Sequence, residues 1–192
     1  MTAESVVRTT VPRAEPGAAA KALMVSAPRP LSRATLGALA RLSARSPLRR
    51  RLLVALVVTG LDVLNRRDLD ALLRFYDPEC EIRLGPGWPL DLDPVQRGHA
   101  GALAILAAWD EVGELSFVPE EILDMGGPAF ALLVSVRMKG AASGADPRPL
   151  RSVWTYRLER GLIAGQTMRN DGWDAGAAEL SEALAGSRLR RP

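Results

Sequence analysis

The chain has 192 residues, 47% of them hydrophobic and 24% charged, which excludes a protein disordered throughout and leaves room for one domain with an appendage. Its net charge of +3 is a difference between regions: residues 1–51 hold ten Lys and Arg against two acidic residues, residues 52–187 hold twelve against twenty, and the last five add three arginines. A single cysteine, Cys80, and a single histidine, His99, exclude an intramolecular disulfide and any Cys- or His-rich metal site, and with no Walker, EF-hand or dinucleotide glycine pattern no cofactor is expected.

Residues 1–46 read as a basic arm rich in Ala, Pro and Arg. Pro12, Pro16, Pro28 and Pro30 interrupt any long helix. The arm is therefore expected to be disordered or partly helical, the helix arising where Leu31, Leu36, Leu39 and Leu42 recur at near-helical steps beside Arg33, Arg41 and Arg45. Any polyanion contact would sit on this arm. With no groove-reading motif present, no specific nucleic-acid partner is expected. The most apolar stretch, Leu52 to Leu64, follows Arg49, Arg50 and Arg51. It falls short of the roughly 20 apolar residues that cross a bilayer, Asp62 interrupts it, and it begins too far from Met1 for a signal peptide. A buried amphipathic helix with Leu53, Leu56, Val57, Gly60, Leu61 and Leu64 inward accounts for it, in a cytoplasmic protein with no transmembrane segment.

Asp68 is placed to cap a second short helix through Tyr76, which Asp77-Pro78 ends. Cys80 to Leu84 alternates as a strand, with Cys80 a small buried hydrophobe. Gly85 to Pro94 reads as a long loop carrying Asp91 and Asp93. Gly98 to Val112 reads as a third helix with Leu103, Leu106, Ala107 and Trp109 on the core side. From residue 115 the period changes to two, predicting strands at Leu115 to Asp124, Phe130 to Lys139, Leu150 to Glu159 and Leu162 to Asn170. Gly126-Gly127, residues 140–149 and Arg160-Gly161 supply turn chemistry between them. Asp171 is expected to cap a closing Ala-rich helix to about Leu184, ahead of a basic tail at 187–192. Helices followed by consecutive strands predict an α+β fold over residues 47–186, with N-terminal helices packed on a strongly curved, mainly antiparallel sheet.

Six phrases in this order resemble the SnoaL-like branch of the nuclear transport factor two superfamily. They are Leu64 to Leu72 with the closing Asp77-Pro78; Arg97-Gly98-His99 opening the helix that holds Trp109; Pro119 to Asp124; Ser143-Gly144; Gly161-Leu162-Ile163; and Asp171. The resemblance implies a cone of helices laid over a bent sheet. It implies no single reaction, because the superfamily hosts isomerases, cyclases, dehydratases, epoxide hydrolases and non-catalytic binders. Ala129 to Val136 is similar to ketosteroid isomerases, whose carboxylate base, helix tyrosine and protonated acid fall by alignment on Leu84, Gly60 and Trp154. None of these three can transfer a proton, which argues against steroid-isomerase chemistry. Arg169 and Asp171 resemble a pair in epoxide-hydrolase-like relatives, but Asp171 reads more simply as a helix cap.

The same alignment implies a pocket lined by Phe130, Leu132 and Val134, by Leu150, Ser152, Trp154 and Tyr156, and by Gln166, Met168 and Asn170, sets that the period of two keeps on one face. Such a cavity is apolar with a belt of neutral hydrogen-bonding groups, suited to a small hydrophobic ligand or substrate with a few oxygens. If the domain is catalytic, the resemblance implies cofactor-independent acid/base chemistry, polyketide cyclase-like or isomerase-like, on a carbonyl substrate. His99 is then the proton carrier, being the one side chain whose ordinary pKa lies near neutrality, with Asp91 and Asp93 as further candidates for that role and Tyr156, Asn170 and Gln166 as orienting donors. The alternative is a non-catalytic small-molecule-binding or dimerisation module. A homodimer through the outer sheet face, including Val136, Val153 and Thr155, is also implied.

Overall fold

The computed structural model describes residues 7–11, 29–85, 88, 91–124, 126–139 and 149–170. The alternating half of the chain forms four consecutive antiparallel strands, β4 (Glu114–Asp124), β5 (Ala129–Lys139), β6 (Leu150–Glu159) and β7 (Leu162–Arg169). The β6–β7 turn is built from Arg160 and Gly161, both with positive φ (50° and 73°), the geometry whose twist suits a two-residue hairpin. A Cβ at Gly161 would collide with the backbone carbonyl of Arg33, so this turn also seats a helix of the N-terminal segment. Irregularities between Pro119 and Glu121 in β4 and between Arg157 and Leu158 in β6 bend the sheet.

The strand predicted at Cys80 to Leu84 begins earlier, as β2 (Tyr76–Leu84), and joins β7 in parallel. Pro78 explains the early start, because proline disfavours the α conformation at the residue before it; the second short helix therefore stops at Leu73 rather than running through Tyr76. A three-residue strand, β3 (Val95–Arg97), pairs with β2, and β1 (Val7–Thr10) pairs with β4, giving the order β1-β4-β5-β6-β7-β2-β3. Four helices are described: α1 (Arg29–Leu39), α2 (Pro47–Asn65), α3 (Leu69–Leu73) and α4 (Gly98–Val112). Ser46 caps α2, its Oγ accepting from Arg49 N, with Pro47 in the first turn. Asp68 caps α3 through Ala71 N at 3.1 Å. Gly98 opens α4 at φ 64°, where a Cβ would lie 2.7 Å from the Pro78 carbonyl; only glycine lets this helix start against β2.

The predicted inner face of α2 is the buried one, Leu53, Leu56, Val57, Leu61 and Leu64 packing into the main core. On α4 the buried residues are Gly101, Ala102, Ile105, Leu106 and Trp109, whereas Leu103 and Ala107 are exposed. Two of the four expected positions, Leu106 and Trp109, lie on the buried side and two do not, because the side that faces the core is set by the rotation of the helix about its axis, which the apolar run of α4 does not encode.

Part of the segment expected as a loose arm is built into the core. Leu36 and Leu39 of α1 and Val11 after β1 are buried with the α2 side chains, and each such leucine contributes about 1.5–3 kcal/mol on burial. Arg49, the first of the three arginines before the apolar run, is fully buried and pairs with Asp124 through Nε–Oδ2 and Nη2–Oδ1, both 2.8 Å. Its Nη1 donates to the Leu39 carbonyl, and Asp124 Oδ1 also accepts from Gly126 N at 2.9 Å. The cluster pins α1, α2 and the β4–β5 turn together.

The outer face of the sheet differs from the expected exposed dimer face. Val136 has the parity of Leu132 and Val134 and lies in the main core, and Val153 and Thr155 are buried within the single chain, Val153 in a second cluster with Leu123, Ala129, Ala131 and Leu133. The closing helix expected at Asp171 to Leu184 and the phrase Ser143-Gly144 lie outside the described residues.

Candidate functional site

Two rows of cross-strand neighbours form the inner wall. In the first, Phe130 of β5 stands opposite Tyr156 of β6, Tyr156 opposite Gln166 of β7, and Gln166 opposite Ile82 of β2. In the second, Leu132, Trp154, Met168 and Leu84 follow each other in the same way. Residues paired directly across strands point to the same face. All of them except Leu84 line one cavity of about 80 Å³. Helix α2 roofs it with Leu56, Gly60 and Leu64, and α4 with Ala102, Ile105 and Trp109. The volume is small beside the roughly 300–1,000 Å³ of pockets for drug-sized ligands. In this conformation it suits a small molecule, or one end of a larger one.

One polar network reaches the cavity. Tyr76 donates its hydroxyl to Gln166 Oε1 at 2.6 Å, and Gln166 Nε2 donates to the Tyr156 hydroxyl oxygen at 3.4 Å. The network has a direction, since the Tyr156 oxygen receives a proton while its own O–H finds no acceptor among the described residues. Burial pushes both tyrosine hydroxyls well above their ordinary pKa, with smaller contributions from Cys80 at Tyr76 and from Tyr76 at Tyr156. At neutral pH they are uncharged donors and not bases.

A second donor lies in the roof. Trp109 is buried, yet its indole N–H has no hydrogen-bond partner among the described residues. Its ring stacks with Trp154 at 6.1 Å and meets Phe117 at 4.8 Å and Trp88 at 5.6 Å. The Trp154 N–H is already used, donating to Ser152 Oγ at 2.9 Å, and Ser152 in turn donates to the Arg169 carbonyl at 2.9 Å.

Of the ten expected lining residues, Phe130, Leu132, Trp154, Tyr156, Gln166 and Met168 meet at the cavity. Val134 is buried in the core beyond it, Ser152 serves the Trp154 indole, Leu150 is exposed at the start of β6, and Asn170 lies just past β7. His99 is half-buried in the first turn of α4 with Nε2 3.2 Å from the Tyr76 carbonyl, and it does not line the cavity. Asp91 is exposed, and Asp93 accepts from Val95 N at 2.9 Å to shape the turn before β3. Cys80 is fully buried, and burial, helped by Asp77, raises its thiol pKa. Tyr76 was missed as a site residue because it was expected to end a helix. The signal that could have found it is Pro78, which disfavours the helical conformation at Asp77 and so favours extended backbone where the helix was expected to end. Among the described residues no group of His, Cys, Asp and Glu is placed to hold a metal, and no helix is long and apolar enough to cross a membrane.

The SnoaL-like domain family matches residues 57–166, a span that begins and ends on two cavity residues, Val57 and Gln166. The chain belongs to the SnoaL-like domain family. Among solved structures, this SnoaL-like domain is similar to a nuclear transport factor 2-like protein of unknown function from Burkholderia pseudomallei, with 22% identity over 65% of this chain and 92% of that one and a TM-score of 0.53. It is also similar to TerC, crystallised with polyporic acid, with 20% identity over 66% and 95% of the two chains and a TM-score of 0.53. These likenesses establish the cone fold. No curated protein matches the sequence.

Proposed function

We propose that this SnoaL-like domain is a receptacle for a small, neutral, apolar molecule, and that its chemistry is binding. The observation that carries this reading is the make-up of the cavity: aliphatic and aromatic walls, one Tyr-Gln-Tyr network, and no carboxylate, lysine, arginine or histidine among the described lining residues. Acid/base catalysis on a carbonyl substrate would draw on the same Tyr156 hydroxyl to polarise the carbonyl, but it also needs a base within hydrogen-bond reach of the reacting carbon. The high pKa of both tyrosines disqualifies them from that role, and the His99 ring rests on a backbone carbonyl outside the lining.

Gly60 supplies the test. It lines the cavity, and a Cβ built on it meets nothing within 4 Å, so a leucine there would occupy the ligand's space. Titration of small cyclic ketones and hydrocarbons, followed by quenching of the stacked tryptophans, should saturate in the wild-type chain and fail in Gly60→Leu. Absence of binding to the wild-type chain, or equal binding to both, would refute the receptacle.

A further inference from the structure

The central strands are buried on both faces, but the described helices account for one. Each of the four described helices packs apolar side chains into the main core, on the inner face. On the outer face, cross-strand pairing sets Leu123, Ala131 and Thr155 in one row and Leu133 and Val153 in the next, the second row ending on Arg169 of β7. Leu123, Ala131 and Val153 are no more than 2% exposed, and the cluster they form with Ala129 and Leu133 holds strand residues alone. Side chains that point away from a sheet lose water when a second layer lies over them. Since the burial is that of a single chain, the layer belongs to this chain, and no described helix enters the cluster.

We propose that residues 171–184 form the closing helix and that it lies on this outer face, where a second copy of the chain would otherwise pack. The point of exit favours this segment, because it leaves β7 directly after Arg169 and Asn170, at the end of the row that holds Val153 and Leu133. Its length suffices. Fourteen helical residues span about 21 Å, and the three strand spacings from β7 to β4 amount to about 14 Å. Its pattern fits as well: Trp173, Ala177, Leu180 and Leu184 recur at helical steps as one apolar stripe, with Asp174, Glu179 and Glu182 off it. Residues 12–28 fit less well, since Leu23, Met24 and Val25 are consecutive and point to three sides of a helix. With the closing helix in place the apolar face is used within the chain, and the domain is a monomer. The inference is independent of the receptacle reading, which concerns the inner face.

Methyl NMR of the full chain, labelled at leucine and valine methyls, tests the docking. The Leu123, Leu133 and Val153 methyls should show nuclear Overhauser contacts to the Trp173 ring and to Leu180, and isotope-filtered spectra of mixed labelled and unlabelled protein should place those contacts within one chain. Contacts instead to Leu23, Met24 or Val25, contacts to a second copy, or none from outside the sheet each overturn the proposal. Sedimentation tests the consequence. The wild-type chain should be monomeric, Leu180→Asp should lose the contacts and self-associate, and Glu182→Ser, off the stripe, should do neither. Unmoved Leu132 and Met168 methyl resonances show in each variant that the cone is intact. A Leu180→Asp chain that keeps the contacts overturns the docked stripe, and one that loses them but stays monomeric overturns the helix as the barrier to pairing.

Discussion

Among the described residues, the buried Arg49–Asp124 cluster and the buried Tyr76–Gln166–Tyr156 cluster are finished to different degrees. At one end Arg49 and Asp124 close on each other with two 2.8 Å contacts, and the leftover groups go to the Leu39 carbonyl and the Gly126 N–H. At the cavity, Tyr76, Gln166 and Tyr156 form a chain whose last O–H has no acceptor among the described residues, and the nearby Trp109 indole N–H has no partner among them either. A closed cluster holds elements together and offers nothing to a ligand. An open one beside a void is where recognition can occur, because a newcomer supplies the missing acceptor.

The closed cluster should show the larger stability effect. Arg49→Met leaves the Asp124 carboxylate buried without its cation, and such a loss costs about 3–5 kcal/mol. For a chain of this length that corresponds to a fall in Tm on the order of 10 °C. Arg49→Met combined with Asp124→Leu should regain a good part of it, because both charges are gone and only the Leu39 carbonyl and the Gly126 N–H are left to find partners. If the double variant melts no higher than Arg49→Met, the pair is not acting as the closed staple that the geometry describes.

The open cluster should dominate in alkali. The chain has two tyrosines, Tyr76 and Tyr156, and burial raises the pKa of both. The folded state therefore keeps its phenolic protons where the unfolded state loses them. This stabilisation is complete below the unfolded pKa near 10 and is lost as pH rises toward the folded values. Each tyrosine should remove about 1.4 kcal/mol per pH unit in that window. Denaturant titrations at successive pH values should show the slope, and tyrosinate absorbance should stay silent until the chain unfolds. Early ionisation of either tyrosine in the folded protein would contradict its burial.

The direction of the network predicts an inequality between two conservative variants. Tyr76→Phe leaves Gln166 Oε1 buried without its donor and should cost about 1–3 kcal/mol. Tyr156→Phe removes a proton that had no acceptor and an acceptor engaged at only 3.4 Å, so it should cost less than about 1 kcal/mol. Equilibrium unfolding of the two variants tests the order, and a reversed order would mean that the Gln166 amide is turned the other way.

Much of this architecture is legible in the sequence because it is written in periods. The change from helical to alternating pattern at residue 115 places β4 to β7 within a residue or two, and parity assigns Phe130, Trp154, Tyr156 and Gln166 to the inner face. Parity does not say where along a strand the cavity lies. That is decided by where α2 and α4 cross the sheet, and they cover two cross-strand rows, so Val134 and Ser152 have the right face and the wrong depth. Arg49 was hidden for another reason. Within the run Arg49-Arg50-Arg51 nothing local separates a buried arginine from two exposed ones; its partner Asp124 is 75 residues away. Likewise, the leucines of α1 are few and flanked by prolines, and their burial depends on a docking surface made by the rest of the fold.

The smallest stability effect bears most directly on function. Gly60 sits inside α2, where glycine costs about 1 kcal/mol relative to alanine, and nothing crowds the position where a Cβ would go. Gly60→Ala should therefore raise stability by about that amount, read as a rise in Tm of a few degrees. Gly60→Leu should keep most of the gain, since its side chain enters empty apolar space next to Leu56 and Leu64. A position where the helix becomes more stable while the receptacle loses its ligand is one where the native residue serves the void and not the fold. Loss of stability in Gly60→Ala would mean instead that the roof tolerates no side chain there, and that the gap is not space available to a ligand.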